Sequence, residues 1–188
     1  PVPLSVDTRK SAVARAALEA GARIVNDVSA LGHDPAMAAV AARAEGLCLM
    51  HAQGEPGTMQ DDPRYDDVLL DVYDALDARL AAAEGAGIPR ARILVDPGLG
   101  FGKTLQHNVC LLRRLSLYHG LGCAVLVGAS RKRFVGTIGG AEAARDRMPG
   151  SVAVALHAAR QGVQVLRVHD VGATRQALRL QLAMDGLT

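Results

Sequence analysis

The sequence predicts an α/β fold built from repeated strand–helix units, and three observations lead to this prediction. The 188 residues are 49% apolar with only 3% aromatic residues, a composition that suits helices packed on short strands. Short apolar runs alternate with segments of helical periodicity. Glycines stand where several of the helices are expected to end. Strand, helix and strand repeated in this order form parallel βαβ units.

Six apolar runs are predicted as strands, and a helical segment follows each of them. The predicted strands are residues 2–6, 23–25, 47–50, 93–95, 124–127 and 163–168. The predicted helices are residues 11–20, 35–44, 65–85, 108–118, 151–160 and 174–184. Gly21, Gly46 and Gly162 are each expected just past a helix. Because no linker, charge run or low-complexity stretch divides the chain, we expect a single domain over residues 1–188.

Composition excludes several classes of function. The formal net charge is +2 and no basic stripe appears, which argues against nucleic-acid binding; the densest basic cluster, residues 131–133, is expected to be a solvated loop. Cys48, Cys110 and Cys123 form no CxxC pair, so neither a disulfide framework nor a zinc site is indicated. No apolar stretch approaches a membrane span. We therefore expect a cytoplasmic protein without nucleic-acid or membrane partners.

The unit count favours a barrel that is incomplete in this chain. A closed eight-stranded (β/α)8 TIM barrel takes roughly 250 residues, and six units in 188 residues are about two units short. The chain also begins at Pro1 without an initiator Met and enters a predicted strand almost at once, which suggests missing upstream sequence. An open doubly wound sheet, for which six strands would be a complete set, is the alternative.

Every predicted strand ends in polar or charged residues. Helix capping explains one or two such cases, but six of six favours a ligand site, because the C-terminal strand ends of parallel folds form the active face. These strand-end residues are Asp7, Asn26-Asp27, His51, Asp96, Ser130-Arg131-Lys132 and His169-Asp170.

The glycine-rich segment 96–104 does not fit either common nucleotide-binding motif. A P-loop requires glycine where Pro97 stands, and a dinucleotide fingerprint requires glycine where Lys103 stands. What remains is a carboxylate, Asp96, followed by glycines that let the backbone approach a flat ligand closely. An ionised carboxylate accepts two parallel N–H bonds, which suits a ligand edge with two adjacent donors. A purely structural turn is the alternative.

The last predicted strand carries two basic residues with the same facing. Alternation places Arg167 and His169 on one face and Leu166 on the other. If the apolar face packs on helices, the two basic residues point into the barrel, where a buried guanidinium requires an anionic partner. A bound phosphate is one such partner. An internal salt bridge to Asp7 or Asp96 is the other.

Together these segments resemble the dihydropteroate synthase family along nearly the whole chain. Each matching segment is a modest signal alone, but all of them occur in order at strand ends. The segments are Ser5-Val6-Asp7-Thr8-Arg9-Lys10, Ile24-Val25-Asn26-Asp27-Val28-Ser29, Leu49-Met50-His51, residues 96–104, residues 128–133 and Arg167-Val168-His169-Asp170-Val171.

The resemblance implies a role for each strand-end group. It implies that Arg167 and His169 hold a pyrophosphate, and that both are catalytic together with Lys132. It also implies that Lys132 and Arg133 form the floor for p-aminobenzoate, although many family members have Ser at the second position. The implied pterin-binding residues are Asp7, Asn26, Asp96 and Lys132, with Met50, Phe101 and Gly128 as walls.

The reaction implied is condensation of 6-hydroxymethyl-7,8-dihydropterin pyrophosphate with p-aminobenzoate, in a sulfonamide-sensitive homodimer that uses Mg²⁺. The chain lacks the family's Asn-Val-Thr-Pro-Asp-Ser-Phe segment, which binds magnesium, and its Gly-Glu-Ser-Thr-Arg-Pro segment, which covers p-aminobenzoate. The units present are therefore expected to be the third to eighth, with no metal ligand in this chain and no turnover by the fragment alone. The alternatives are a methyltetrahydrofolate–corrinoid methyltransferase-like domain and a non-catalytic pterin-binding paralogue.

Overall fold

The computed structural model describes residues 2–54 and 57–187, and within them it contains six parallel strands and seven α-helices. The strands are β1 Ser5–Asp7, β2 Ile24–Asp27, β3 Gly46–Met50, β4 Ile93–Asp96, β5 Ala124–Val127 and β6 Val165–Leu166. The helices are α1 Ser11–Glu19, α2 Met37–Ala41, α3 Val68–Gly85, α4 Leu105–Arg113, α5 Arg133–Gly139, α6 Met148–Arg160 and α7 Val171–Met184. Three short 3₁₀ turns cover Arg90–Arg92, Leu115–Leu121 and Ala144–Arg147.

The order of strands in the sheet is the order in sequence, β1 to β6. In a doubly wound sheet the order in which successive strands are added reverses at a switch point. The order here shows no such reversal, so the alternative of an open doubly wound sheet is wrong. The sheet is also curled, because Arg167 after β6 comes within 2.8 Å of Asp7 at the end of β1. Six parallel strands therefore form an arc, and across its open side the Arg167 side chain reaches from the end of the last strand to Asp7 at the end of the first.

Side-chain alternation separates an outer core from the inside of the arc. On β3, Leu47 and Leu49 belong to the core cluster that also includes Val72, Leu76 and Leu80 of α3. Fully burying one such side chain contributes about 1.5–3 kcal/mol. Because successive strand residues face opposite sides, the residues between these outward-facing positions point to the concave side of the sheet.

The predicted strands are all present, with small shifts at their ends. The last one is the shortest, because β6 covers only Val165–Leu166 rather than residues 163–168. Gly21 and Gly162 follow α1 and α6 with φ of 102° and 84°, as expected of helix-ending glycines. The same expectation is wrong for Gly46, which is the first residue of β3.

Several helix bounds differ from the prediction by a few residues, as at α2, α6 and α7, and two differences have clear local reasons. The α4 helix begins at Leu105, three residues before the expected start, because Thr104 and His107 cap each other's backbone N–H groups. The α5 helix was not predicted at all. It is only seven residues long, and Gly136 and Gly139 weaken its helical signal.

Candidate functional site

The inward positions at the carboxyl ends of the strands are occupied by the residues that the sequence singled out. On each strand the preceding apolar residue packs in the outer core, so its neighbour faces the inside of the arc. The inward residues at or just after the strand ends are Asp7, Asn26, Met50, Asp96, Gly128 and Arg167. The groups predicted to lie together, Asp7, Asn26, Asp96, Lys132, Arg167 and His169, all lie at or just after the carboxyl ends of this one parallel sheet, hereafter the mouth.

One half of the mouth is a network centred on Asp7. Its Oδ2 accepts a hydrogen bond from Asn26 Nδ2 at 2.8 Å and another from Arg167 Nη1 at 2.8 Å. A Cβ at Gly128 would lie 3.0 Å from Arg167 Nε, so this glycine makes room for the guanidinium. Among the described residues, Asn26 Oδ1 is the buried side-chain atom without a hydrogen-bond partner. An unpaired buried acceptor is costly and indicates a place for a ligand donor.

The expectation of a buried guanidinium on the last strand is wrong. The Arg167 side chain is 40% exposed, and its partner Asp7 is 56% exposed. The observed contact is the internal salt bridge that was the alternative to a bound phosphate. An ion pair this exposed contributes only about 0–1 kcal/mol, so a phosphate could displace Asp7 at small cost. His169 is also exposed, and its Nδ1 lies 3.0 Å from Ser130 Oγ.

Asp96 occupies the deepest position of the mouth. Its side chain is only 2% exposed, and its Oδ1 accepts a hydrogen bond from Gly98 N at 2.8 Å. Burial raises the pKa of this carboxyl above its ordinary value, while nearby Lys132 and Arg167 pull it back down. The result is a carboxylate with little water around it and positive charge close by, suited to binding N–H donors.

Lys132 joins Asp96 to an aromatic ring. Its Nζ donates to Leu99 O and lies 4.1 Å from the centroid of Phe101, within range of a cation–π interaction. Burial lowers the pKa of Lys132 to about 8, and Asp96 opposes the shift. Gly100 matters to this contact, because a Cβ there would lie 3.0 Å from Lys132 Cδ.

The solvated-loop expectation for residues 131–133 holds for Arg133 alone, which is exposed at the start of α5. Lys132 faces the mouth. Arg131 is bound to Asp170 through Nε at 3.0 Å and through Nη2, and its φ of 58° is left-handed. Its amide donates to Ser151 Oγ at 2.9 Å. These contacts fix the turn that points Lys132 inward.

The glycines of segment 96–104 serve loop packing, which the sequence did not predict. A Cβ at Gly98 would lie 1.8 Å from His51 O, and one at Gly102 would lie 2.2 Å from Gln53 O. Both residues have positive φ, at 68° and 60°. The close approach expected between these glycines and a flat ligand is thus an approach to the loop after β3.

Lys103 is a buried residue that sequence reasoning missed. Its side chain is 3% exposed, and its Nζ lies 2.9 Å from His51 Nδ1 and 3.1 Å from Phe101 O. Burial lowers the pKa of Lys103 to about 7 and, with the neighbouring ammonium, lowers the pKa of His51 to about 3. The signal was present in the sequence, because only three of the 21 basic residues are lysines.

Two cavities flank the mouth, and Phe101 lines both. The first, of about 320 Å³, is also lined by Met50. The second, of about 590 Å³, is also lined by Lys132 and Arg133 at the start of α5. The aromatic ring therefore separates two compartments.

Neither a metal site nor a membrane span is found in the described residues. Across residues 2–54 and 57–187, no group of three or more His, Cys, Asp or Glu side chains is placed to hold a metal ion. In the same part of the chain, no helix is long and apolar enough to cross a membrane.

The family follows from a comparison with known sequences. A family model described as pterin binding enzyme matches residues 1–169. The chain belongs to the pterin-binding enzyme family. This member of the family is 44% identical over 180 residues to dihydropteroate synthase from Escherichia coli (strain K12), a match that covers 94% of this chain and 62% of the relative. The chain thus spans less than two thirds of that relative's length.

Solved structures of similar proteins contain the same curled sheet as this chain. Dihydropteroate synthase from Stenotrophomonas maltophilia with active site-bound imidazole has a TM-score of 0.95 at 44% identity, covering 100% of this chain and 71% of that one. Dihydropteroate synthase from Xanthomonas albilineans in complex with 7,8-dihydropteroate has a TM-score of 0.92 at 45% identity, covering 100% and 68%. The six-stranded arc corresponds to part of these longer chains.

Proposed function

We propose that this chain is the pterin-binding part of a dihydropteroate synthase. The reaction joins 6-hydroxymethyl-7,8-dihydropterin pyrophosphate to p-aminobenzoate and releases 7,8-dihydropteroate and pyrophosphate. One observation carries the proposal. The mouth contains two buried hydrogen-bond acceptors, the Asp96 carboxylate and Asn26 Oδ1, and the second has no hydrogen-bond partner. Both groups lack a full set of protein donors, and the similar protein from Xanthomonas albilineans was solved in complex with 7,8-dihydropteroate.

Hydrogen-bond acceptors of the protein bind the polar edge of the pterin. The 2-amino-4-oxo edge offers two adjacent donors, and the bond from Gly98 to Oδ1 of Asp96 leaves Oδ2 for them. Asn26 Oδ1 receives another ring donor, while its Nδ2 stays on Asp7. Lys132 supplies a donor to the ring system. Met50, Phe101 and Gly128 form the walls.

The pyrophosphate end lies at the exposed rim. Arg167 exchanges its carboxylate partner Asp7 for phosphate oxygens, which a guanidinium binds bidentately. His169 is close behind it on the same strand end. When the C–O bond to the leaving group breaks, the electron pair goes to pyrophosphate, and these cations stabilise its growing charge.

p-Aminobenzoate occupies the second cavity. There its carboxylate meets Arg133 and the start of α5, and its ring packs near Lys132 and Phe101. The amine attacks the methylene carbon of the cationic pterin, forming the C–N bond and then losing a proton to solvent. Catalysis is thus positioning and electrostatics, with no general base assigned.

The wider architecture is part of the same proposal. We propose a (β/α)8 barrel of which this chain, taken as one domain, supplies the third to eighth units. Two upstream units would supply the Mg²⁺ ligand and the cover of the p-aminobenzoate cavity. A cytoplasmic homodimer, with small molecules rather than nucleic acid or membranes as partners, completes the proposal.

Calorimetric titration of the 188-residue chain tests the binding half. We expect a pterin analogue to bind and p-aminobenzoate to bind poorly, since its cover is absent. Fusion to the first two units of a dihydropteroate synthase should then give pyrophosphate release that depends on both substrates. Methyl transfer from methyltetrahydrofolate, or pterin binding without turnover in the fusion, would replace the proposal by one of the two alternatives.

A further inference from the structure

Two loops at the mouth pack so closely that their backbones are in direct contact. They are the loop after β3, residues 51–54, and the loop after β4, residues 97–104, hereafter the glycine loop. The positive-φ residues Gly98 and Gly102 lie so close to the carbonyls of His51 and Gln53 that no Cβ fits. Phe101 lies in the glycine loop between these two glycines. Its position is therefore fixed only if a further contact keeps the two loops from sliding past each other.

Lys103 lies between these two loops. Its Nζ contacts His51 Nδ1 at 2.9 Å and His51 O at 3.5 Å on one side, and Phe101 O at 3.1 Å on the other. An ammonium has three donors and no acceptor, and here it meets three acceptors. His51 must then accept through Nδ1 and carry its proton on Nε2.

The choice of lysine at this place is informative. The chain has 18 arginines and only three lysines, Lys10, Lys103 and Lys132. Of the three, Lys103 is buried and Lys132 half-buried, and only Lys10 is exposed. A guanidinium is a planar fork and cannot converge on acceptors around a point as an ammonium does, so arginine would not reproduce the contacts of Lys103.

The contact to Phe101 O bears directly on the site. Phe101 donates its own amide to Gly98 O at 3.1 Å, and Tyr65 donates its hydroxyl to Gly102 O at 2.8 Å. The Phe101 ring carries Lys132 Nζ 4.1 Å from its centroid and lines both cavities. A shift of this backbone would therefore move the wall between the two compartments.

We infer that Lys103 is a positioning residue, which holds the glycine loop against the loop after β3 and so sets the place of the Phe101 ring beneath Lys132. Its importance for substrates rests on the proposed function. Its effect on Phe101 and Lys132 does not. The inference assigns Lys103 no contact with substrate.

The groups around Lys103 explain why the ammonium tolerates burial. Asp96 at the end of β4 attracts it, and Lys132 after β5 repels it. The ring centroid of Tyr65 lies 5.9 Å from Lys103 Nζ. The charge of Lys103 also contributes to lowering the pKa of His51 and of His107. Burial dominates and lowers the pKa of Lys103 to about 7, so the three-donor ammonium that matches the three acceptors is the main form below that pH.

Lysine-selective NMR measures the position of the ring. With ¹³C-labelled lysine the chain gives three sets of ε-methylene signals, and the ring current of Phe101 should displace that of Lys132 upfield. Phe101→Leu gives the undisplaced reference position. In Lys103→Met, which keeps an unbranched side chain one atom shorter and has no donor, we expect the Lys132 signal to move most of the way to that reference. Lys10→Met, at an exposed site, should leave it in place.

The inference is overturned if folded Lys103→Met keeps the wild-type Lys132 signal. Should that variant not fold, Lys103→Gln retains a donor of nearly the same reach and is expected to give an intermediate position. The wild-type chain provides a test without any variant. Long-range ¹H–¹⁵N spectra at pH 6 should show a neutral His51 ring protonated at Nε2, and a ring protonated at Nδ1 or charged would contradict the contact.

Ligand binding connects the ring to function. We expect Lys103→Met to weaken binding of a pterin analogue about tenfold, with no change for Lys10→Met. A wild-type chain that does not bind the analogue would contradict the proposed function, while the Lys132 signal would still decide the role of Lys103. Unchanged affinity together with a displaced Lys132 signal would overturn the link to the substrate site.

Discussion

Replacement of Asp96 by Asn separates ligand binding from folding. The substitution keeps the size and shape of the side chain, and the amide oxygen can still accept from Gly98 N. It replaces the oxygen proposed to face the pterin with an NH₂ group, however. Two donors of the ligand edge would then face a donor of the protein.

The expected loss in affinity follows from the kind of bond removed. A hydrogen bond to a charged group contributes roughly 1.5–3 kcal/mol, which corresponds to about 10- to 150-fold in affinity. Asp96 is only 2% exposed, so water cannot replace the lost acceptor. We therefore expect the upper half of this range.

Although Asp96→Asn should weaken pterin binding, it should not lower the stability of the fold. Because burial raises the pKa of Asp96, the folded chain pays to ionise this group at any pH above its ordinary pKa. The stability of the protein therefore falls as the pH rises through that window, and at pH 7 the neutral Asn removes this cost. We expect a midpoint of thermal unfolding that is not lower than that of the wild-type chain.

Isothermal titration of a pterin analogue and thermal unfolding followed by circular dichroism are sufficient assays. Asp77→Asn, the same chemical change at an exposed position of α3, is the matched control. Wild-type affinity in Asp96→Asn would remove this carboxylate from the proposed pterin site. A reduced affinity accompanied by an equally reduced unfolding midpoint would show that the substitution acts through the fold.

Three further predictions concern the rim, the buried lysine and the sheet edges. Asp7→Asn should raise the affinity of the chain for phosphate by up to about fivefold, because it frees Arg167 from an exposed ion pair; equilibrium dialysis measures this. The free energy of unfolding should rise from pH 7 toward 10.5, because the pKa of Lys103 is about 7 in the folded chain and has its ordinary value of 10.5 in the unfolded chain, so the unfolded chain binds the extra proton. The 188-residue chain should self-associate in light scattering and release no pyrophosphate, because β1 and β6 are edges of the sheet.

Each of these has a clear opposite outcome. Phosphate binding that is unchanged in Asp7→Asn, or that survives in Arg167→Ala, would leave the rim without its proposed anion role. The rise in stability should be smaller in Lys103→Met, and an identical rise would assign it to other groups. A monodisperse monomer with normal turnover would refute both parts of the last prediction.

The fold could be predicted because its determinants are local. A two- to five-residue apolar strand and a following amphipathic helix are visible within about 30 residues of sequence. Once parallel units were assumed, the carboxyl ends of the strands followed, and with them Asp7, Asn26 and Asp96. The helix after β5 escaped because Gly136 and Gly139 gave it the composition of a loop.

The partners of the charged groups could not be predicted, because they join distant segments. Arg167 meets Asp7 across 160 positions of sequence, and only the curvature of the sheet brings them together. Lys103 and His51 are 52 positions apart. In the sequence, Lys103 was noted only because it stands where a dinucleotide-binding motif requires glycine. Its burial depends on how closely two glycine-containing loops approach, which no periodicity encodes.

The curvature of the sheet has a consequence for assembly. This chain has a TM-score of 0.95 over its whole length against a structure of which it covers 71%. Its arc therefore has the bend of the longer proteins without the remainder of their chains. An exposed ion pair between Arg167 and Asp7 spans the two ends of that arc at the rim. The bend is present within these six units, so the edges of β1 and β6 frame the opening into which the two proposed upstream strand–helix units would pack.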